Sequence, residues 1–189
     1  SDFNLKEINV SVWNGLMFIN FDKRCNSLES IYEKLEKRIN KGNFSIYQFY
    51  KRDSYNISCN WKIYMDNYLE GLHIPIVHPE LNKTINYKSY KTEIHDQFSL
   101  QWCSIDPQLN PYKNDSSEDL IAYYVTIFPN VILNIAPGRL QTNIVEPIDE
   151  KNCSVHFDYY FEQIDEKQVQ RDLDFSDIIQ REDIEIRES

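Results

Sequence analysis

Two histidines and a glutamate occupy one short segment, DNYLEGLHIPIVHPEL, at residues 66–81. On a regular helix, residues three or four apart are neighbours, so Glu70 and His73 would share a face. His73 and His78 are five residues apart and would point roughly 140° away from each other. A straight helix therefore cannot pair these two imidazoles.

Two prolines in this segment change that expectation. Pro75 lacks a backbone donor and clashes with the preceding turn, so a helix that begins near Asn60 should kink or end around Ile74. Pro79 favours an extended backbone at His78. The sequence thus predicts a helix end followed by a turn, where both imidazoles can converge.

The last segment of the chain has a helical period of 3.6 residues from about Glu166. Phe175, Ile179 and Ile186 lie on one stripe of this predicted helix, and Asp183 lies on the same stripe. An inward carboxylate requires a cation or strong hydrogen-bond donors. The neighbouring glutamates fit an ordinary solvated face and are assigned no chemistry: Glu182, Glu185 and Glu188.

Two histidines and one carboxylate are the ligand set of mononuclear non-haem Fe(II), because they leave positions open for dioxygen and substrate. His73, His78 and Asp183 are therefore candidate ligands. By spacing alone, a structural interpretation is equally good. In that interpretation His73 is a hydrogen-bonded core residue and His78 a surface residue before a proline.

Charge and cysteine usage narrow the class of protein. The 189 residues carry a formal net charge of −10, which argues against a nucleic-acid or anionic-membrane surface. The four cysteines form no CxxC pair, which favours free and mostly buried thiols. Neither a transmembrane span nor a secretory signal is visible, and we expect a cytoplasmic protein. Because the chain starts at Ser1 and ends within a helical pattern, we expect a piece of a longer protein.

The pattern along the chain favours an α+β domain with a strongly antiparallel sheet and helices packed on it. Asn14-Gly15 predicts a hairpin within residues 10–21, and an amphipathic helix is expected over 26–42. Further strands are expected at 44–58, around 90–104, and at 122–135, 139–147 and 153–163.

The segment NWKIYMDNYLEGLHIPIVHPEL closely resembles the iron-site segment of Rieske-type non-haem iron oxygenase catalytic subunits, the ring-hydroxylating oxygenase alpha subunits. The shared pattern is Asn-Trp-Lys, then Asn-Tyr-x-Glu-x-x-His-x-x-x-x-His-Pro. NVSVWNGLMFINF also resembles the strand pair that follows the Rieske module in these proteins. The resemblance covers nearly the whole chain.

By this resemblance, His73 and His78 would ligate a mononuclear Fe(II). Glu70 would be the acidic residue that bridges electron transfer from a neighbouring subunit. The segment FSDIIQREDIEI resembles the late helix that carries the third ligand, which here is Asp183. The inward aspartate identified from periodicity is the same residue.

The resemblance implies a helix-grip (START-like) fold, in which an antiparallel sheet wraps around a long C-terminal helix beside the substrate cavity. It implies that residues 1–189 are part of the catalytic domain of a homotrimer, and that the C-terminal end of this domain is missing from the sequence. A Rieske [2Fe–2S] cluster needs two cysteines and two histidines. No histidine here has a cysteine two residues before it, so that cluster is expected in a missing N-terminal domain. NAD(P)H would supply electrons through a reductase or ferredoxin.

The implied reaction is dioxygen activation at Fe(II), ending in hydroxylation or oxidative demethylation of a small organic substrate. Glu70, with Asn-Tyr ahead of it, is more similar to members acting on choline- or betaine-type quaternary amines than to ring-hydroxylating members. The alternative is a non-enzymatic helix-grip module that binds an apolar small molecule. A zinc hydrolase is disfavoured, because no glutamate adjoins either histidine as in H-E-x-x-H.

Overall fold

The computed structural model describes residues 6–39, 44–105 and 120–187. The chain forms two compact units that divide between Ile46 and Tyr47. The first unit is the smaller, and the second contains the seven-stranded sheet.

The first unit begins with the predicted hairpin. β1 (Asn9–Trp13) pairs antiparallel with β2 (Leu16–Asn20). Asn14 and Gly15 connect the strands with φ values of 48° and 83°, and a type I′ turn requires such positive values at both central residues. The hairpin prediction is confirmed.

A helix follows the hairpin. α1 (Leu28–Glu36) is the central part of the helix predicted over 26–42, of which residues 40–43 lie outside the described chain. Its buried Tyr32 stacks on Trp13, with ring centroids 4.9 Å apart. A 3₁₀ turn at Phe44–Ile46 ends the unit.

The second unit is built on an antiparallel sheet with the strand order β3-β9-β8-β7-β6-β5-β4. Every neighbouring pair in this sheet is antiparallel. The strands are β3 (Gln48–Ile57), β4 (Lys91–Ile94), β5 (Phe98–Ser104), β6 (Ile121–Ile127), β7 (Val131–Ala136), β8 (Arg139–Pro147) and β9 (Cys153–Phe161).

Two of the predicted strand segments are each divided in the structure. The segment around 90–104 forms β4 and β5, and the segment 122–135 forms β6 and β7 with a tight turn between them. That turn contains Pro129, which has no amide hydrogen for a strand ladder. The prediction at 139–147 coincides with β8.

Four helices complete the second unit: α2 (Trp61–Leu69), α3 (Ile74–Val77), α4 (Pro79–Thr84) and α5 (Glu166–Arg187). A 3₁₀ turn at Tyr87–Ser89 leads into β4. Asn60 begins α2, since its side-chain oxygen accepts a hydrogen bond from the Lys62 amide at 3.0 Å. α5 begins where the sequence predicts it, at Glu166.

α5 packs against the sheet through an apolar core. Val169 and Leu173 are buried in one cluster with Phe157, Tyr159 and Phe161 of β9. The predicted α+β fold is confirmed, including the long C-terminal helix against an antiparallel sheet. Within the described ranges, no helix has both the length and the apolarity that a bilayer span requires.

Candidate metal centre

The three predicted ligands lie together in the structure. His73, His78 and Asp183 each offer one ligand atom, and these atoms lie within 4.8 Å of one another. The Nε2 of His78 is 3.2 Å from Oδ1 of Asp183, and the Nε2 of His73 is 3.9 Å from the same oxygen. Both imidazoles thus direct Nε2 towards one carboxylate.

A break in the helix brings the two histidines together. α2 ends at Leu69, earlier than the predicted end around Ile74, and Glu70 leaves in an extended conformation. The carboxylate of Glu70 accepts hydrogen bonds from the amides of Leu72 and His73, which fixes the turn. The prediction was wrong about the end of the helix but right that two separately oriented segments carry the histidines.

The prolines start short helices here rather than ending a long one. Pro75 lies in the first turn of α3, and Pro79 is the first residue of α4, where a missing amide hydrogen costs nothing. His73 precedes α3, and His78 lies between α3 and α4 with φ −117° and ψ 72°. Each imidazole is therefore held at a helix boundary.

Asp183 reaches the site from α5. It is half-buried, and Asn67 of α2 donates a hydrogen bond to its Oδ1 at 3.0 Å. Phe175 and Ile179 lie on the same inward stripe, as predicted. Ile186 does not, since it is about half exposed in the last turn of the helix.

Each histidine has a carboxylate partner on its other nitrogen. Oε1 of Glu70 lies 2.5 Å from Nδ1 of His73, and Oε2 of Glu182 lies 2.8 Å from Nδ1 of His78. A carboxylate that accepts the Nδ1 proton leaves the Nε2 lone pair for a metal. Histidine ligands of metal sites usually have such a hydrogen-bond partner on the second ring nitrogen.

The prediction that Glu182 lies on a solvated face is wrong. The side chain is 26% exposed and bonds His78, because it is long enough to reach from the flank of the helix beside Asp183. The available signal was the need of each ligand histidine for a carboxylate or carbonyl partner. Glu185 is exposed as predicted, and Glu188 lies outside the described residues.

The electrostatics of the cluster favour a cation. Burial lowers the pKa of His78, but the hydrogen bonds and charges of Asp183 and Glu182 outweigh it and raise the pKa above the usual histidine value. Two imidazole nitrogens and one carboxylate oxygen suit Fe(II), with further coordination positions left open. These residues therefore fit a mononuclear divalent metal.

Gly71 is needed for the turn between α2 and His73. A Cβ added here would lie 2.6 Å from Cε1 of Tyr90. That ring stacks between Tyr87 and Tyr124, and its hydroxyl donates to Gln101 at 2.6 Å. We expect Gly71→Ala to destabilise the protein by about 1–3 kcal/mol through overpacking, measured by urea unfolding.

The contact with Tyr90 can be tested by a double-mutant cycle. Gly71→Ala should cost less in a Tyr90→Leu background than in the wild type, because the smaller side chain leaves room for the methyl group. Equal costs in both backgrounds would show that the close approach to Tyr90 is not the reason for glycine.

A cavity of about 770 Å³ adjoins the cluster, since Asp183 forms part of its wall. Five aromatic side chains line it: Tyr64, Tyr68, Tyr124, Phe157 and Phe175. The hydroxyls of Tyr68 and Tyr64 donate to Asn134 and Gln180, at 2.7 and 3.1 Å. Burial raises the pKa of Tyr68 and Tyr124 well above the usual tyrosine value, so both stay neutral.

One buried ion pair lies in the cavity wall. Nε of Arg139 is 2.6 Å from Oδ2 of Asp172, and both side chains are largely buried. Arg139 also donates to Gln141. The positive charge of this arginine is thus balanced within the wall.

Comparison with known proteins places this chain in a family. The model of the ring hydroxylating alpha subunit (catalytic domain) matches residues 44–189, which include all three candidate ligands and both carboxylate partners. The chain belongs to this family. The resemblance inferred from the iron-site segment is confirmed.

Curated relatives in the family are oxygenases. Choline monooxygenase, chloroplastic, of Arabidopsis thaliana is 35% identical over 144 residues, which cover 73% of this chain and 33% of the relative. The carnitine monooxygenase oxygenase subunit of Escherichia coli (strain K12) is 25% identical over 191 residues, 98% of this chain and 51% of the relative. The chain thus spans about a third to a half of the length of these family members.

Solved structures of the family show the same fold. The quaternary ammonium Rieske monooxygenase CntA in complex with inhibitor MMV12 has a TM-score of 0.79 at 22% identity, over 96% of this chain and 49% of that one. Naphthalene 1,2-dioxygenase from Rhodococcus sp. bound to indole has a TM-score of 0.64 at 16% identity, over 95% and 52%. The helix-grip prediction is confirmed.

Proposed function

We propose that residues 1–189 are the catalytic mononuclear-iron domain of a Rieske-type monooxygenase that oxidises a small quaternary amine. The observation that carries this proposal is the convergence of His73, His78 and Asp183 beside an aromatic cavity. Choline and carnitine monooxygenases among the relatives support the class of substrate.

In this proposal, His73, His78 and Asp183 hold the iron through Nε2, Nε2 and a carboxylate oxygen. Bound Fe(II) would supply the activation of dioxygen, which side chains alone cannot provide. One substrate C–H bond becomes C–OH, and the second oxygen atom leaves as water with two protons and two electrons. The electrons would come from NAD(P)H through a reductase or ferredoxin and a [2Fe–2S] Rieske cluster.

The cavity would bind the substrate by its cationic head. A quaternary ammonium group cannot donate hydrogen bonds, so its attraction to aromatic ring faces is a main source of specificity. Five aromatic rings line the cavity, and of the two arginines in its wall, Arg139 is balanced by Asp172.

Glu70 is proposed to relay electrons to the iron site rather than to bind the metal. Its side chain is 43% exposed, yet it bonds His73 directly. It can therefore contact a neighbouring subunit on one side and a ligand on the other. We further propose that the protein is a cytoplasmic homotrimer. Inter-subunit electron transfer in a similar solved structure, a quaternary ammonium Rieske monooxygenase, supports the contact between subunits.

Ligand binding tests the class of substrate. Choline should bind the metal-loaded full-length protein more tightly than its neutral carbon isostere, 3,3-dimethylbutan-1-ol, measured by calorimetric titration. Cation–π attraction of about 1–2 kcal/mol predicts a preference of roughly five- to thirtyfold. Equal affinities would remove the quaternary-amine assignment.

Two phenylalanine variants test whether the aromatic rings of the cavity cause the preference for choline. Phe175→Leu removes a ring from the cavity wall and should reduce the preference for choline, whereas the exposed Phe49→Leu on β3 should not. If neither ligand binds, but an apolar compound binds protein that holds no stoichiometric metal, the non-enzymatic module would replace this proposal.

A further inference from the structure

His78 is enclosed by two consecutive carboxylates of α5. Glu182 bonds its Nδ1 at 2.8 Å, and Asp183 lies 3.2 Å from its Nε2 on the opposite edge of the ring. The imidazole is only 2% exposed, so water does not compete for either nitrogen. One turn of helix therefore supplies both a candidate metal ligand and the hydrogen-bond partner of another.

This arrangement differs from that at the other histidine. His73 is supported by Glu70, which comes from the same turn and also accepts two backbone amide hydrogen bonds. His78 receives its support from a chain segment 104 residues away. The orientation of His78 consequently depends on the position of α5 against the rest of the unit.

We propose that Glu182 is a positioning residue of the metal centre, which acts through His78. By accepting the Nδ1 proton, it fixes the tautomer whose Nε2 lone pair points at the metal position, and it holds the plane of the ring. Glu182 is not itself a ligand, since its carboxylate lies at Nδ1, across the ring from Nε2. The inference rests on the proposed function only in requiring a divalent metal at this site.

Cobalt(II) binding tests the proposal without reference to turnover. The full-length protein is loaded with Co(II), and its affinity is measured by competition with a chelator alongside its visible absorption spectrum. Glu182→Ala should lower the affinity by about 10–100-fold and change the spectrum. Glu182→Gln should recover most of the affinity, because its amide oxygen can accept the same hydrogen bond.

Glu185→Ala is the matched control. This glutamate lies on the same helix three residues later and is exposed, so its removal should change neither affinity nor spectrum. Circular dichroism and thermal unfolding of each variant establish that it is folded. Wild-type affinity and spectrum in folded Glu182→Ala would overturn the proposal.

A second measurement needs no alanine variant. In the zinc-loaded wild type, the Nδ1 proton of His78 should give a slowly exchanging, downfield NMR signal, as expected for a hydrogen bond to a carboxylate. It should move upfield in Glu182→Gln, where the acceptor is neutral. An unchanged signal would contradict the proposal, whereas failure of the wild type to bind any metal would contradict the proposed function instead.

Discussion

Replacing His78 with alanine is expected to abolish Fe(II) binding, with a loss of affinity of at least about a hundredfold. The substitution removes a ligand and also leaves Glu182 and Asp183 without the imidazole between them. Loss of a ligand should exceed the 10–100-fold effect typical of outer partners. The measurement is iron content per chain after anaerobic loading and gel filtration, and His73→Ala and Asp183→Ala should behave alike.

His156→Ala serves as the control for this experiment. That histidine lies on β9 and bonds Ser54 and Glu146, away from the cluster. It should retain one iron per chain. Full iron retention in the His78→Ala protein would refute the ligand assignment. Because Fe(II) is low in the divalent affinity order, zinc must be excluded during purification.

Glu70→Gln is expected to have the opposite combination of effects. The amide oxygen of glutamine can still accept the hydrogen bond from Nδ1 of His73, although its NH2 group cannot replace the second oxygen, which accepts from the turn amides. Because Glu70 is not proposed as a ligand, iron content should stay near the wild-type level. Turnover should fall by about a hundredfold or more, because the carboxylate that links the site to the electron donor is lost. The assay is steady-state product formation by the full-length enzyme with its reductase.

A surface glutamate provides the comparison for Glu70. Glu80 on α4 pairs with Lys83 at the surface, and Glu80→Gln should leave both iron content and turnover unchanged. Wild-type turnover in Glu70→Gln would show that Glu70 only stabilises the turn and does not relay electrons. Loss of iron in that variant would instead make it part of the binding site.

Local patterns in the sequence were sufficient to predict most elements and to identify Asp183 as an inward carboxylate. The period of α5 identified Asp183, and the Asn14-Gly15 pair identified the hairpin. Each of these signals is contained in one short stretch of sequence. The proposed ligand set combined one such pattern with a family resemblance. The structure brings those three side chains together.

Features that depend on distant parts of the chain were missed. α2 ends at Leu69 in a turn that requires glycine because Tyr90 packs against it, and no local pattern shows that contact. Glu182 was missed because a helical period assigns a face by angle alone. A long side chain beside an inward residue can still reach the interior, and only the position of His78 shows that it does.

The site joins His78 to Asp183, which lie 105 residues apart in the chain. A divalent ion shared by them would act as a removable cross-link between α5 and the segment that contains α3 and α4. Above its dissociation constant, each tenfold rise in free metal would add about 1.4 kcal/mol to the free energy of unfolding. Iron supply would then contribute to the stability of the folded unit, as well as being required for the proposed reaction.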